Sequence, residues 1–159
     1  MRHKIIFGSD VKYKRFTKRL IKKTIYTALE AEGVNVSCEV NVLITDDEGI
    51  RRINSEMRSV DEPTDVLSFP MFELKEGSFS PEDTQPDPKT GRIPLGDMAL
   101  NMNRIIKQGE LFGHGEKRET AYLTVHSILH LLGYDHLDEG ERKARMRGRE
   151  EEIIKKIKI

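Results

Sequence analysis

Three of the chain's five histidines fall within eleven residues, His126-Ser-Ile-Leu-His130-Leu-Leu-Gly-Tyr-Asp-His136. Residues four apart in a helix project from one face, one above the other, so His126 and His130 can offer imidazole nitrogens to a common point. Gly133 can turn the chain through the left-handed region, which brings His136 back beside them. Three imidazoles satisfy three positions of a tetrahedral zinc site and leave the fourth for water or substrate, the arrangement of a catalytic zinc. Such a zinc keeps its full charge and can lower the pKa of a bound water to about 7, or polarise a phosphoryl oxygen. Two blander readings stand beside this one. The histidines could be unrelated neighbours on a partly buried helix, or the site could be closed and structural, with Cys38 or His114 as fourth ligand. Structural zincs usually recruit several thiolates, and Cys38 is the only cysteine. His3 lies in the terminal arm, away from the cluster. The spacing is also that of metzincin proteases, which need a glutamate directly after the first histidine as general base. Ser127 stands there instead and cannot take a proton near neutral pH. The spacing alone therefore does not make a peptidase.

The elements that must position these groups can be read from periodicity. Ile5–Phe7 reads as a short strand ending near Gly8. From about Lys12 to Ala31, Tyr13, Phe16, Leu20, Thr24 and Ala28 recur at helical spacing, with Gly33 as the stop. Cys38, Val40, Val42 and Ile44 alternate with Glu39, Asn41 and Leu43, the pattern of a half-buried strand. Thr45 and Glu48 fit a capping box for a helix through Ile50, Ile53 and Met57. Strands are expected at Val66–Phe69 and Leu95–Leu100. Further helices are expected at about Glu116–Leu132 and Asp138–Lys156, with a shorter one near Asn103–Gln108. Between the last two strands, segment 71–90 has five acids, two lysines and three prolines without periodicity, and reads as a long solvated loop. The whole, 1–159, is expected to form a single α+β domain, a small mixed sheet packed with about five helices.

Composition sets the outer bounds. Charged residues make up 34% of the chain, yet 27 Lys+Arg balance 27 Asp+Glu. Leu, Ile, Val and Phe total 42 of 159 residues, enough for a core. No apolar run exceeds three residues, which excludes a membrane span or a secretory leader within this sequence. A lone cysteine forms no internal disulfide, so a soluble, cytoplasmic protein is expected. Zero net charge argues against bulk attraction to polyanions, but it conceals a basic start. Residues 1–25 carry nine Lys or Arg against one acid. Charge runs on helices are usually solvated faces; Lys18, Arg19 and Lys22 are nonetheless candidates for tracking RNA phosphates.

Residues His126 to His136 resemble the pattern H-G-x-L-H-L-x-G-Y-D-H of the YbeY family, bacterial rRNA-maturation endoribonucleases, with Ser127 in place of the glycine. Arg58 followed by Pro63-Thr64-Asp65-Val66-Leu67-Ser68-Phe69-Pro70 resembles the family's arginine and P-T-D-V-L-S-F-P. Leu95-Gly96-Asp97-Met98-Ala99-Leu100 resembles its L-G-D-I-x-I strand. The three motifs occur in the family's order and span most of the chain; nothing is carried over to the acidic loop at 71–93.

The resemblance implies one zinc ion held by His126, His130 and His136, single-strand-specific cleavage of RNA, and a part in small-subunit rRNA processing and ribosome quality control. It also makes Arg58 the match for a functionally important arginine, whose planar, permanently charged donors suit phosphate geometry. Its bland alternative is an arginine ending a helix, favoured there by the helix dipole. Asp135 could hydrogen-bond a ligand histidine and fix its tautomer, or simply cap the turn after Gly133. Asp97 could serve similarly or only anchor backbone amides, while Thr64, Asp65 and Ser68 could line a cleft. Nothing in the sequence singles out a general base. Single-stranded rRNA and the small ribosomal subunit are the expected partners, without a membrane, and a monomer is assumed. Two other readings remain: a ribosome-associated assembly factor with a structural metal, or a zinc hydrolase of another ester or amide. A fourth protein ligand would favour the former, and a narrow closed pocket the latter.

Overall fold

The computed structural model describes residues 2–135 and 140–159. Its centre is a four-stranded mixed sheet in the order β1-β2-β4-β3, formed by β1 (Lys4–Ser9), β2 (Cys38–Thr45), β3 (Val66–Pro70) and β4 (Ile93–Asn101). β1, β2 and β4 run parallel, while β3 pairs antiparallel with β4 and forms one edge. The helices among the described residues are α1 (Phe16–Ala31), α2 (Asp47–Arg58), α3 (Met102–Leu111), α4 (Gly115–Leu131) and α5 (Glu141–Lys155). The α+β reading of the sequence is borne out. No helix among the described residues is long and apolar enough to cross a membrane.

Two faces of the sheet are filled differently. On one, Val40, Val42, Leu95, Met98 and Leu100 meet α1, α3, α4 and α5 in the main core. α4 lies at the middle of that layer, packed against α1, α3, α5 and β3. It buries residues all round, including Leu123, Val125, Ile128, Leu129 and Leu131, as a helix enclosed by other helices must. Burying each such side chain contributes about 1.5–3 kcal/mol. Among the described residues the opposite face is covered by α2, which sets Ile50 and Ile53 on Leu67, Ala99 and Phe69.

The structure corrects the sequence reading at one helix start, one helix cap and one loop. α1 begins at Phe16 rather than Lys12, because Ser9 Oγ binds both the N–H and the carbonyl of Val11 and holds the chain in a turn after β1. The cap of α2 is Asp46, whose Oδ1 accepts from Gly49 N at 2.9 Å. Thr45 cannot cap because it is still extended, paired in β2 with Asn101 of β4. The segment after β3 is long and nearly free of regular structure, apart from a 3-10 turn at Pro81–Asp83. It is not wholly solvated, however: Leu74 is buried, and Phe72 and Phe79 pack on the main core.

Candidate metal centre and its groove

α4 places His126 and His130 one turn apart, and their Nε2 atoms face each other at 3.1 Å. Their rings cross nearly at right angles, 4.6 Å between centroids. Each Nδ1 is committed to an acceptor. His126 Nδ1 bonds the carboxylate of Glu150, and His130 Nδ1 donates to the carbonyl of Tyr134 at 2.9 Å. Both bonds place a ring proton on Nδ1, so when the rings are neutral both Nε2 atoms present lone pairs to one another. Two lone pairs at 3.1 Å repel unless they share a cation. The donor set, two neutral imidazoles backed by a carboxylate and a carbonyl, suits a metal that favours nitrogen, such as zinc. His136, the third expected ligand, lies outside the described residues. Among the described residues no cluster of three or more His, Cys, Asp or Glu has metal-binding geometry.

The turn that follows α4 is built for this arrangement. Gly133 N bonds His130 O and Tyr134 N bonds Leu129 O, the paired bonds of a Schellman motif. Gly133 takes φ 100°, and a Cβ there would lie 2.1 Å from Leu74 O. Only glycine permits both the backbone conformation and that approach. The motif aims the Tyr134 carbonyl back at His130, so the helix stop and the imidazole orientation are one device.

The histidines line a groove of about 1130 Å³ that runs between β3, the end of α2 and the start of α5. Arg58 lines it too, from the last turn of α2. Its Nη2 donates to Ser68 O at 2.9 Å, and its guanidinium lies 5.4 Å from the centre of the Phe69 ring. Ser59, at φ 58°, ends the helix directly after it and turns the chain away. Arg58 is thus fastened to β3 rather than waving from a helix end. Thr64, Asp65 and Ser68 also line the groove. Ser68 Oγ meets Ser127 Oγ at 2.6 Å, a buried bond joining β3 to α4 beside His126. Ser127 is fully buried and is not part of the groove wall.

The remaining expected residues divide clearly. Asp135 lines the groove and pairs with Arg142 at 3.1 Å. Asp97 is not brought to the histidines: a bulge at Gly96 precedes it, and side chains alternate along β4, so it shares the α2 face with Ala99. There it accepts from Asn41 Nδ2 at 2.7 Å. Lys18, Arg19 and Lys22 are exposed on α1, outside the groove wall, with the Lys18 ammonium over the Phe7 ring of β1 at 5.4 Å. The two residues weighed as a fourth ligand are also elsewhere. His114 bonds Glu119, and Cys38 is buried, its thiol pushed up to about 12 by desolvation.

Glu150 escaped the sequence reading. It is 3% exposed and accepts from both His126 and Tyr122. A signal was present: Met146, Ile153, Ile154 and Ile157 form the buried stripe of the last helical segment, and Glu150 stands within it. A carboxylate on an apolar stripe needs a buried partner. Arg142 and the Met71–Leu74 stretch of the loop, both on the groove wall, were missed as well.

The YbeY endoribonuclease family matches residues 7–158. "Endoribonuclease YbeY" of Clostridium botulinum (strain Loch Maree) is 46% identical over 145 residues, covering 87% of each chain. That of Clostridium acetobutylicum is 48% identical over 147 residues, again covering 87% of each. The solution structure of TM1509 from Thermotoga maritima superimposes with a TM-score of 0.61 over 97% of this chain and 87% of its own, at 22% identity, and so shares the fold. With both the profile and these relatives spanning most of its length, the chain belongs to the YbeY endoribonuclease family.

Proposed function

We propose that this protein is a zinc-dependent, single-strand-specific endoribonuclease of ribosomal RNA, acting in the cytoplasm in small-subunit rRNA maturation and ribosome quality control. The observation that carries the reading is the facing Nε2 pair of His126 and His130 at the floor of a groove that also holds Arg58. His126, His130 and His136 would hold the ion, which supplies Lewis acidity toward a phosphoryl oxygen and acidifies water. Glu150 and the Tyr134 carbonyl keep the protons on Nδ1 and the rings in place. Arg58 spends one donor on Ser68 O and offers the rest of its fork to phosphate oxygens. The groove exceeds the roughly 300–1,000 Å³ of small-molecule pockets, which suits a polymer better than a small ester or amide.

The test is cleavage of a single-stranded rRNA fragment by the zinc-loaded protein beside His130→Ala and Arg58→Ala. Cleavage by wild type that is lost in His130→Ala, together with the zinc, supports the reading. Activity that survives in His130→Ala shown to lack metal sinks it.

A further inference from the structure

A second pocket, of about 360 Å³, adjoins the groove and shares Asp65 with it. Its far wall is the tight connection between α3 and α4, Phe112-Gly113-His114-Gly115. Gly113 and Gly115 take φ 73° and 87°, and a Cβ on Gly109 would lie 2.7 Å from the Gly115 backbone, so the two helices nearly touch here. At this connection the Phe112 ring stands 61% exposed, with the His114 ring tilted beside it at 5.8 Å. The inner wall is Tyr122, whose ring lies near-parallel to His126, 6.3 Å between centroids.

The polar lining is asymmetric. Asp65, Glu119 and Glu151 set three carboxylates around the pocket against one guanidinium, Arg118. Glu119 is 2% exposed and held rigid by Gln108 Nε2 at 2.7 Å and His114 Nε2 at 3.1 Å. Such a lining repels a phosphate and welcomes N–H donors. An aromatic face at the mouth, acceptors inside and a volume at the low end of small-molecule pockets fit one flat, nitrogen-rich ring.

We propose that this pocket is a nucleobase subsite, which takes an unstacked base of the bound RNA strand near the scissile phosphate, with Phe112 as its stacking platform. The proposal rests on the RNA-cleaving reading and adds to it a means of accepting only single strands, since a paired base cannot enter. Carboxylate acceptors favour bases that carry an exocyclic amino group over uracil.

Binding of short single-stranded RNAs, each abasic at a different position, tests this. Wild type is expected to lose about tenfold in affinity at one abasic position, in line with the usual worth of a base–aromatic stack. Phe112→Ala should lose a similar factor on intact RNA and be indifferent to the abasic site. Phe112→Trp should bind as wild type, with its indole fluorescence quenched by RNA. Uracil at the sensitive position should bind more weakly than adenine. Equal RNA affinity of wild type and Phe112→Ala, without tryptophan quenching, would overturn the subsite while leaving the endoribonuclease reading intact; that result would point to a protein contact for Phe112 instead. A wild-type protein that binds no single-stranded RNA overturns both.

Discussion

Glu150 and the Tyr134 carbonyl decide which nitrogen each histidine offers, and this is where a single atom matters most. Replacing Glu150 by glutamine keeps an acceptor but removes the charge that makes His126 a better ligand. Zinc affinity, measured by competition with a chelator, should fall about 10–100-fold while the fold persists; unchanged affinity would reduce the carboxylate to a space-filler. Arg58→Lys keeps the charge but not the fork, and cannot donate to Ser68 O while presenting a planar pair of donors. Cleavage should drop about 10²–10³-fold, the usual cost of one preorganised donor, with the melting curve nearly unmoved. Cys38 makes a pH prediction. Burial lifts its thiol from 9.0 to about 12, so the unfolded chain releases that proton first. Its contribution to stability is intact below pH 9.0 and fades as the pH rises toward 12. The native protein should resist alkylation at pH values where the urea-unfolded chain reacts at once.

Among the elements, two glycines in the last third of the chain should respond oppositely to the same substitution. Gly133→Ala forces a left-handed residue and drives a methyl into Leu74 O, costing about 2–5 kcal/mol by denaturant titration. Gly148, inside α5, has nothing within 4 Å of its missing Cβ, and Gly148→Ala should stabilise by about 0.5–1 kcal/mol. Strand alternation and helical spacing placed β1 to β4 and α2 to α4 within a few residues, because each is amphipathic or bounded by a strong stop. The facing of His126 and His130 was legible because four residues is about one helical turn, whereas Arg58 was singled out only by its resemblance to a family motif. Capping was misread at Thr45, where the strand's ladder outcompeted the helix for the residue. The reading of Asp97 as a partner of a ligand histidine fails because the bulge at Gly96 shifts the register, and a glycine inside the strand was the signal of it. Glu150 was invisible to a search by adjacency, since it reaches His126 from another helix, 24 residues on.

At the scale of the whole molecule, charge is distributed rather than balanced. The exposed lysines of α1 stand by β1, whereas the groove opens beside β3 at the other edge of the sheet. A short RNA in the groove would not reach them. Lys18→Glu with Lys22→Glu should therefore leave cleavage of short oligonucleotides unchanged, yet weaken binding of long structured RNA and flatten its salt dependence. Equal salt slopes for the long RNA would remove α1 from the contact. One buried bond links the molecule's halves in another sense. Ser68 and Ser127, 59 positions apart, satisfy each other's hydroxyls where the sheet meets the central helix. Losing either alone strands a buried polar group at about 1–3 kcal/mol, whereas losing both together can be nearly neutral. In this chain the hydroxyl at 127 thus answers the one at 68, and Ser127→Gly on its own takes that partner from a buried Ser68.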